Sequence, residues 1–310
     1  MATAVELAAK RIKTLEVQGA RNVAITAIKA IEELTTKSKA QNKNQFMNEL
    51  FDARDILFSS RETEPLMRNA VRQIIHEVEK SKEKEPKELA TLVHQASNKF
   101  LQNLEASKKR IAEIGSKRIK SSSRILTHCH SSTVTYMFER AKKEGKQFEV
   151  ICTETRPLFQ GRITAQELIA SDIKATMIVD SAVRFFMNKV DLVMVGADAI
   201  TSEGNVVNKI GTSLIALAAN EARTPFYVVS ELLKFDPSTV YGDYEKIEER
   251  NPNEIWSEAP SKIEIRNPAF DITRRNFIHG IICEEGIISP HSVLEVVRKR
   301  YPWMSSKNFS

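Results

Sequence analysis

The sequence predicts an α/β protein in two parts, a helical domain over residues 1–120 and a domain over residues 121–310 built on a mainly parallel sheet. Three observations predict it. Glycine is scarce, at 10 of 310 residues, which disfavours collagen-like and turn-dense all-β architectures. Apolar residues as far as about residue 120 recur at helical spacing. After Ser121-Ser122-Ser123 short apolar runs alternate with helical stretches, the pattern of strands buried on both faces of a parallel sheet. At roughly 100–200 residues per domain, the length suits two domains.

In the first part Leu7, Ala8, Ile12 and Leu15 follow one helical period, and Ala24, Ile28, Ile31 and Leu34 another. Phe46, Leu50, Ala53 and Leu57 continue the pattern. Pro86 stands where a helix can start, and residues 89–114 carry a long amphipathic stretch. Gly115 either ends that helix or is tolerated inside it. No strand is read before residue 120. In the second part the runs 125–126, 148–152, 175–179, 192–195 and 226–229 read as strands. They lead to Thr127, Thr153, Asp180, Gly196 and Ser230. Residues 132–143, 165–170 and 214–222 read as helices between them.

Hydrophobic residues make up 42% and charged residues 28%, enough apolar surface to exclude a wholly disordered chain. No run of ~18 apolar residues predicts a membrane span, and the first residues lack a signal-peptide pattern. The three cysteines, Cys129, Cys152 and Cys283, give no disulfide framework, so a reducing, cytoplasmic setting is expected. The net charge of +6 is uneven. Residues 1–120 hold 23 Lys and Arg against 16 Asp and Glu, the remainder 23 against 24. A basic half suits nucleic acid or an acidic partner, but also plain solvated helix faces. Interspersed acids and missing aromatics favour the latter, so neither a nucleic-acid nor a membrane partner is expected.

Ligands of open parallel sheets sit beyond the carboxyl ends of the strands. Those ends carry Thr127-His128-Cys129-His130-Ser131-Ser132-Thr133, Thr153-Glu154-Thr155-Arg156, Asp180, Gly196-Ala197-Asp198 and Ser230 to Phe235. One thiol, carboxylates, hydroxyls and cations converging there suggest an anionic small molecule. Each residue also has a plainer reading. Cys129 fits a small buried apolar residue, or a thiol activated by helix N-termini. His128 and His130 resemble metal ligands, but alternate residues on a turn diverge and no second pair has zinc spacing. Asp198 suits a turn and Asp180 a helix cap. Neither a G-x-G-x-x-G nor a Walker loop is present, against nicotinamide or ATP chemistry.

The ordered series Thr127 to Ser132, Thr153-Glu154-Thr155-Arg156-Pro157 with Gly161, Val179 to Ala182, Gly196 to Asp198, Asn208-Lys209-Ile210-Gly211-Thr212, Lys234-Phe235 and Asn267 to Asp271 resembles one superfamily. It joins ribose-1,5-bisphosphate isomerases, methylthioribose-1-phosphate isomerases and the regulatory subunits of translation initiation factor 2B. The resemblance runs through nearly the whole chain and is closest to the bisphosphate isomerases. It implies a helical N-terminal domain on a Rossmann-like C-terminal one. It places the catalytic cysteine at Cys129 and the catalytic aspartate at Asp198. It implies substrate contacts at Ser131, Ser132, Thr133, Asn208, Lys209 and Lys234, and a phosphate contact at Arg61. Two stretches depart from the isomerases. Gln18-Gly19-Ala20-Arg21 replaces Arg-Gly-Ala-Gly and resembles the initiation-factor branch, with an arginine three residues later still able to bind phosphate. Arg61-Glu62-Thr63 replaces Arg-Pro-Thr.

The resemblance supplies ribose 1,5-bisphosphate as substrate and ribulose 1,5-bisphosphate as product. A sugar phosphorylated on O1 cannot open to a free aldehyde, so a base must take the C2 proton while an acid protonates the departing ring oxygen. Cys129, its pKa lowered, would be the base. Asp198, kept protonated in a closed site, would be the acid. Lys209 and Lys234 would hold phosphate as point charges. No metal or organic cofactor is required. The C-terminal half is read as placing residues 225–229 and 281–297 around one sheet. The resemblance further implies a homo-oligomer, a dimer or hexamer, in which Cys283 is expected to be buried. The alternative is a non-catalytic regulatory subunit that binds sugar phosphate or nucleotide and contacts initiation factor 2.

Overall fold

Five helices, α1 (Ala4–Lys13), α2 (Ala20–Thr36), α3 (Lys43–Ser60), α4 (Pro65–Lys80) and α5 (Pro86–Ser116), open the chain. The computed structural model describes residues 3–61, 63–243 and 246–305. Local signals set the helix starts. The Thr3 hydroxyl accepts the Glu6 N–H while the Glu6 carboxylate accepts the Thr3 N–H, a capping box. The Asn42 side chain caps α3. Pro65 and Pro86 begin α4 and α5, where a missing N–H costs nothing. Ile12, Ile28, Ile31, Phe46, Leu50, Leu57, Leu66 and Met67 are fully buried, each worth roughly 1.5–3 kcal/mol. Leu7 departs from the expected stripe. It is exposed, because the buried face of α1 runs through Val5, Ala8, Ala9 and Ile12.

The chain divides into two compact units inside α5. The first runs to Ala106 and includes the residues from Tyr301 on, and the second spans Ser107–Arg300. Gly115 is internal to α5. A Cβ there would collide with the Met137 sulfur, so glycine allows close packing on the second unit's core.

That second unit alternates strand and helix. Its elements are β1 (Arg124–Thr127), α6 (Ser132–Lys143), β2 (Glu149–Thr153), α7 (Gln160–Ala170), β3 (Lys174–Ile178), α8 (Val183–Met187), β4 (Leu192–Val195), β5 (Ala199–Ile200), β6 (Val206–Lys209), α9 (Thr212–Glu221), β7 (Phe226–Val229), β8 (Phe270–Thr273), β9 (Gly280–Cys283), β10 (Gly286–Ile288) and α10 (Val293–Arg300). The seven-stranded sheet has the order β10-β9-β7-β4-β1-β2-β3. All its pairs are parallel except β9–β10. Its core includes Ile111, Met137, Phe138, Val150, Met194 and Ile282. The runs 225–229 and 281–297 do meet in this sheet through β7 and β9, and Phe226, Val228, Val229, Ile281 and Ile282 are its interior.

The three-stranded antiparallel sheet β5-β6-β8 is not expected from the sequence. It branches off just after β4, and it meets residues beyond the carboxyl ends of β7 and β1 through the Ile200–Phe235 bridge and the His128–Ile210 hydrogen bond. Among the described residues, no helix is long and apolar enough to cross a membrane.

Candidate active site

The chain order changes direction between β1 and β4. From β1 the sheet grows to β2 and β3 on one side, and to β4 and β7 on the other. The crevice at such a switch point is the ligand site of open α/β sheets. Cys129 leaves β1 and Asp198 leaves β4, so the two predicted catalytic residues flank it.

Cys129 has φ 64°, a left-handed conformation that costs a non-glycine residue about 1 kcal/mol or more. The surroundings hold it there. The Cys129 N–H donates to Thr155 Oγ1 at 2.9 Å, and its carbonyl accepts the Thr164 hydroxyl at 2.8 Å. Thr155 is itself left-handed, at φ 62°. Its N–H and that of Arg156 donate to the two oxygens of Asp180, at 2.8 and 2.7 Å. Asp180, expected as a helix cap, caps no helix: Val179 holds the cap position of the short turn that Asp180 begins, and the Asp180 carboxylate closes the neighbouring turn instead.

The two histidines splay apart. His128 is buried; burial holds its pKa below the ordinary value, and its ring nitrogens lie 2.6 Å from Thr153 Oγ1 and 2.9 Å from the Ile210 carbonyl. His130 reaches Thr164 Oγ1 at 3.2 Å. The Thr164 hydrogen is given to Cys129, so His130 Nδ1 is the donor. Among the described residues no group of three or more His, Cys, Asp or Glu could hold a metal ion.

The thiol departs from expectation. Burial pushes Cys129 up to about 11, with Lys209 and the His130 N–H pulling it down and Asp198 and Asp180 adding to the rise. Desolvation of the thiolate outweighs the nearby cation. Cys152 and Cys283 are free and buried, and burial pushes each up to about 12.

Asp198 is half-buried. Its N–H donates to the Val207 carbonyl at 2.9 Å, which ties the β4 exit to β6. Ser131 caps α6, and a Cβ on Gly196 would come within 2.9 Å of its side chain. Ser132 is half-exposed, whereas Thr133 is buried and donates to Glu231 Oε1 at 2.9 Å. Asn208 donates to Thr212 Oγ1 at 3.0 Å. Lys209 lies over the Phe270 ring, 4.8 Å from its centroid. Lys234, expected as an open point charge, is buried. It donates to the Ala197 carbonyl at 2.6 Å, with Glu231 at 3.8 Å. A buried ammonium needs such partners, and this one braces the residue before Asp198.

The other predicted residues belong to the helical unit. Gln18 donates to the Leu15 carbonyl, Gly19 precedes α2 at φ 81° and Ala20 is buried. Arg21 donates to the Leu104 carbonyl and pairs with Glu105 at 2.9 Å. Arg61 pairs with buried Glu64 at 3.0 Å. Glu62 lies outside the described residues.

Asp271 was marked in sequence only as part of a motif. Its carboxylate accepts the Gly211 N–H at 2.7 Å and the Ser213 N–H at 3.0 Å, at the start of α9. Burial still raises it to about 6, against those two bonds. Its place on β8 beside Asn208 has no local sequence signal. Thr155 and Glu231 were marked only as members of strand-end stretches and Thr164 not at all; their roles arise from pairing across the fold.

Fold and site define an α/β protein of the switch-point type, with a thiol and a carboxylate on the segments that leave two neighbouring strands. Residues 16–290 match the Initiation factor 2 subunit family, and the chain belongs to it. Ribose 1,5-bisphosphate isomerase of Thermococcus kodakarensis is 40% identical over 302 residues, 95% of this chain and 94% of that one. The enzyme of the same name from Methanocaldococcus jannaschii is 40% identical over 297 residues, with the same coverage. A crystal structure described as the translation initiation factor eIF-2B of Pyrococcus horikoshii OT3 superposes with a TM-score of 0.81 at 30% identity. It covers 94% of this chain and 98% of that one.

Proposed function

We propose that this protein is an aldose–ketose isomerase that converts ribose 1,5-bisphosphate to ribulose 1,5-bisphosphate. The observation that carries the proposal is the left-handed Cys129 at the exit of β1, with Asp198 at the exit of the adjacent β4. Identity of 40% to isomerases along nearly the whole chain supplies the substrate. The raised thiol means that Cys129 is protonated in the free protein at neutral pH. Passing that proton to the Asp198 carboxylate leaves a thiolate and a carboxylic acid, the two groups the reaction needs. The thiolate takes the C2 proton, the C1–C2 double bond forms, and the C1–ring oxygen bond breaks. Asp198 protonates the freed ring oxygen. The resulting enol phosphate loses its O2 proton to Asp198 and takes the thiol proton at C1, which gives the 2-ketose and restores both side chains.

Lys209 and Asn208 from β6, Ser131 and Ser132 at the start of α6, and Gln18 to Arg21 and Arg61 of the helical unit are the proposed phosphate and sugar contacts. Thr133 and Lys234 serve the same site from buried positions. Purified protein incubated with ribose 1,5-bisphosphate is expected to form ribulose 1,5-bisphosphate. Tight binding without conversion would favour a regulatory subunit, the reading that the Pyrococcus likeness and Gln18 to Arg21 favour.

The protein is further proposed to be a homo-oligomer, at least a dimer, in a cytoplasmic setting. Phe185 of α8, Leu214 and Leu217 of α9 and Ile272 of β8 stand exposed, Phe185 at 75% and Leu214 at 63%, on elements that touch one another. Such a patch suits an interface. Light scattering in reductant that returned a 35 kDa particle at micromolar concentration would overturn this.

A further inference from the structure

We infer that His128 is a positioning residue that fastens the Cys129 turn to the Asn208–Lys209 strand and so sets the spacing of base and cation. The inference rests on the proposed role of Cys129. Its basis is a chain of hydrogen bonds anchored at a carbonyl that can only accept. The Ile210 carbonyl can only accept, so His128 Nε2 carries the hydrogen across 2.9 Å. The imidazole is buried and neutral, so Nδ1 is an acceptor, and the Thr153 hydroxyl donates to it at 2.6 Å. Thr153 Oγ1 has given its hydrogen away, so at 3.3 Å it can only accept from Thr155 Oγ1, which also lies 3.5 Å from His128 Nδ1 and from the Thr153 carbonyl. Thr155 Oγ1 in turn accepts the Cys129 N–H.

The far end of the chain is equally fixed. Gly211 has φ 103°, and a Cβ there would press on His128 Cε1 and Nε2 at 3.3 Å. Glycine thus gives the turn both its backbone conformation and its fit against the ring. Asp271 binds the Gly211 and Ser213 N–H groups from the other side. Two turns more than 80 residues apart in sequence are held by one side chain with a single possible tautomer. The ring touches neither thiol nor carboxylate in any recorded hydrogen bond, so its effect passes through the position of Cys129. A shift of about 1 Å at a reacting group is enough to cost roughly 10²-fold in rate.

Three variants separate the arms. His128→Gln keeps a donor toward Ile210 but loses the acceptor for Thr153. His128→Asn keeps an acceptor near Nδ1 but falls short of Ile210, and His128→Leu keeps neither. Steady-state turnover of ribose 1,5-bisphosphate and the alkylation rate of Cys129 by iodoacetamide are the readouts, with thermal melting of each variant alongside. Expected are a kcat lower by about 10-fold for Gln and Asn and about 100-fold for Leu, KM within about 3-fold, and a changed alkylation rate at Cys129 in folded Gln and Asn variants. Parental kcat in Gln and Asn, a raised KM at unchanged kcat, or a kcat loss that follows melting temperature with alkylation unchanged would each overturn the inference. Cys129→Ser run in parallel separates the two claims. If it is inactive while Gln and Asn are fully active, only the positioning role fails. If it is active, the proposed role of Cys129 fails, and the positioning role with it.

Discussion

The two edges of the parallel sheet are built from the same strands but treat polar groups in opposite ways. At the amino edge, exposed Arg124 and Lys174 pair with half-buried Glu149 at 3.4–3.7 Å beside an open cavity of about 650 Å³. At the carboxyl edge, His128, Thr153, Thr155, Ser230, Glu231 and Lys234 are buried, and two non-glycine residues, Cys129 and Thr155, sit in left-handed backbone. Burying polar groups costs free energy, and it is this hydrogen-bonded burial, not backbone strain, that sets the carboxyl edge apart: Ser122, Asp172 and Arg223, at the amino ends of β1, β3 and β7, are left-handed too. Substitutions at the two edges should therefore differ in kind.

The largest effect is expected at Cys129. Serine keeps the shape but is far too weak a base at neutral pH, so Cys129→Ser should lose about 10³-fold in kcat with folding intact. Retention of more than about a tenth of the parental kcat, a difference of only ~1.4 kcal/mol in barrier, would remove Cys129 as the base. Asp198→Asn follows, at roughly 10²-fold in kcat with KM little changed, because an amide cannot release a proton to the ring oxygen. A normal kcat with a raised KM would make Asp198 a binding residue.

Next is a stability effect at the same edge. Burial raises Asp271 to about 6 from an ordinary 3.8. A group whose folded value lies above its unfolded one favours the fold fully at low pH and loses that contribution as pH rises through the folded value. Asn titrates over no such range. The stability of the parent relative to Asp271→Asn should therefore fall by about 2 kcal/mol between pH 4 and pH 7, after allowance for the part still in contact with water. Urea unfolding at several pH values measures it, and a pH-independent difference would show that Asp271 is not desolvated.

These positions also mark how far the sequence could be read. Strands β1, β2, β3, β4 and β7 announce themselves as apolar runs that end in a polar residue, and their ends mark out the site. Helix α6 fills the expected 132–143. The small sheet β5-β6-β8 stayed hidden because β5 is two residues long and β6 (Val206-Val207-Asn208-Lys209) and β8 (Phe270-Asp271-Ile272-Thr273) mix apolar with polar residues, so no apolar run marks them. Cys129 was legible as a candidate from its place after β1. Its raised pKa was not, because desolvation depends on what the rest of the chain packs around it. Asp180 read equally well as a local cap, and only the tertiary fold brings Thr155 and Arg156 onto its carboxylate. Lys234 illustrates the converse. A lysine near a strand end reads as a phosphate ligand, yet here its ammonium is spent on Ala197 and Glu231.

The smallest effect is expected at the amino edge. Glu149 accepts the Thr176 hydroxyl at 2.6 Å and pairs with Lys174 and Arg124, and the Thr176 bond is the main reason its pKa is lowered. A lowered carboxylate contributes stability that is present above its unfolded value and lost as pH falls through the folded one. Exposed ion pairs are screened by water and salt and are worth about 0–1 kcal/mol. Glu149→Gln removes the charge but keeps an acceptor for Thr176. It should cost at most about 1 kcal/mol at pH 7, less in high salt, and leave kcat and KM within about 2-fold of the parent, because no hydrogen bond recorded for Glu149 reaches the carboxyl-edge network. Unfolding in urea at low and high salt and a parallel assay of turnover test both halves. A 10-fold loss of kcat at this edge, equivalent to ~1.4 kcal/mol of barrier, would mean that the two edges are coupled through the strands and that the contrast between them does not hold.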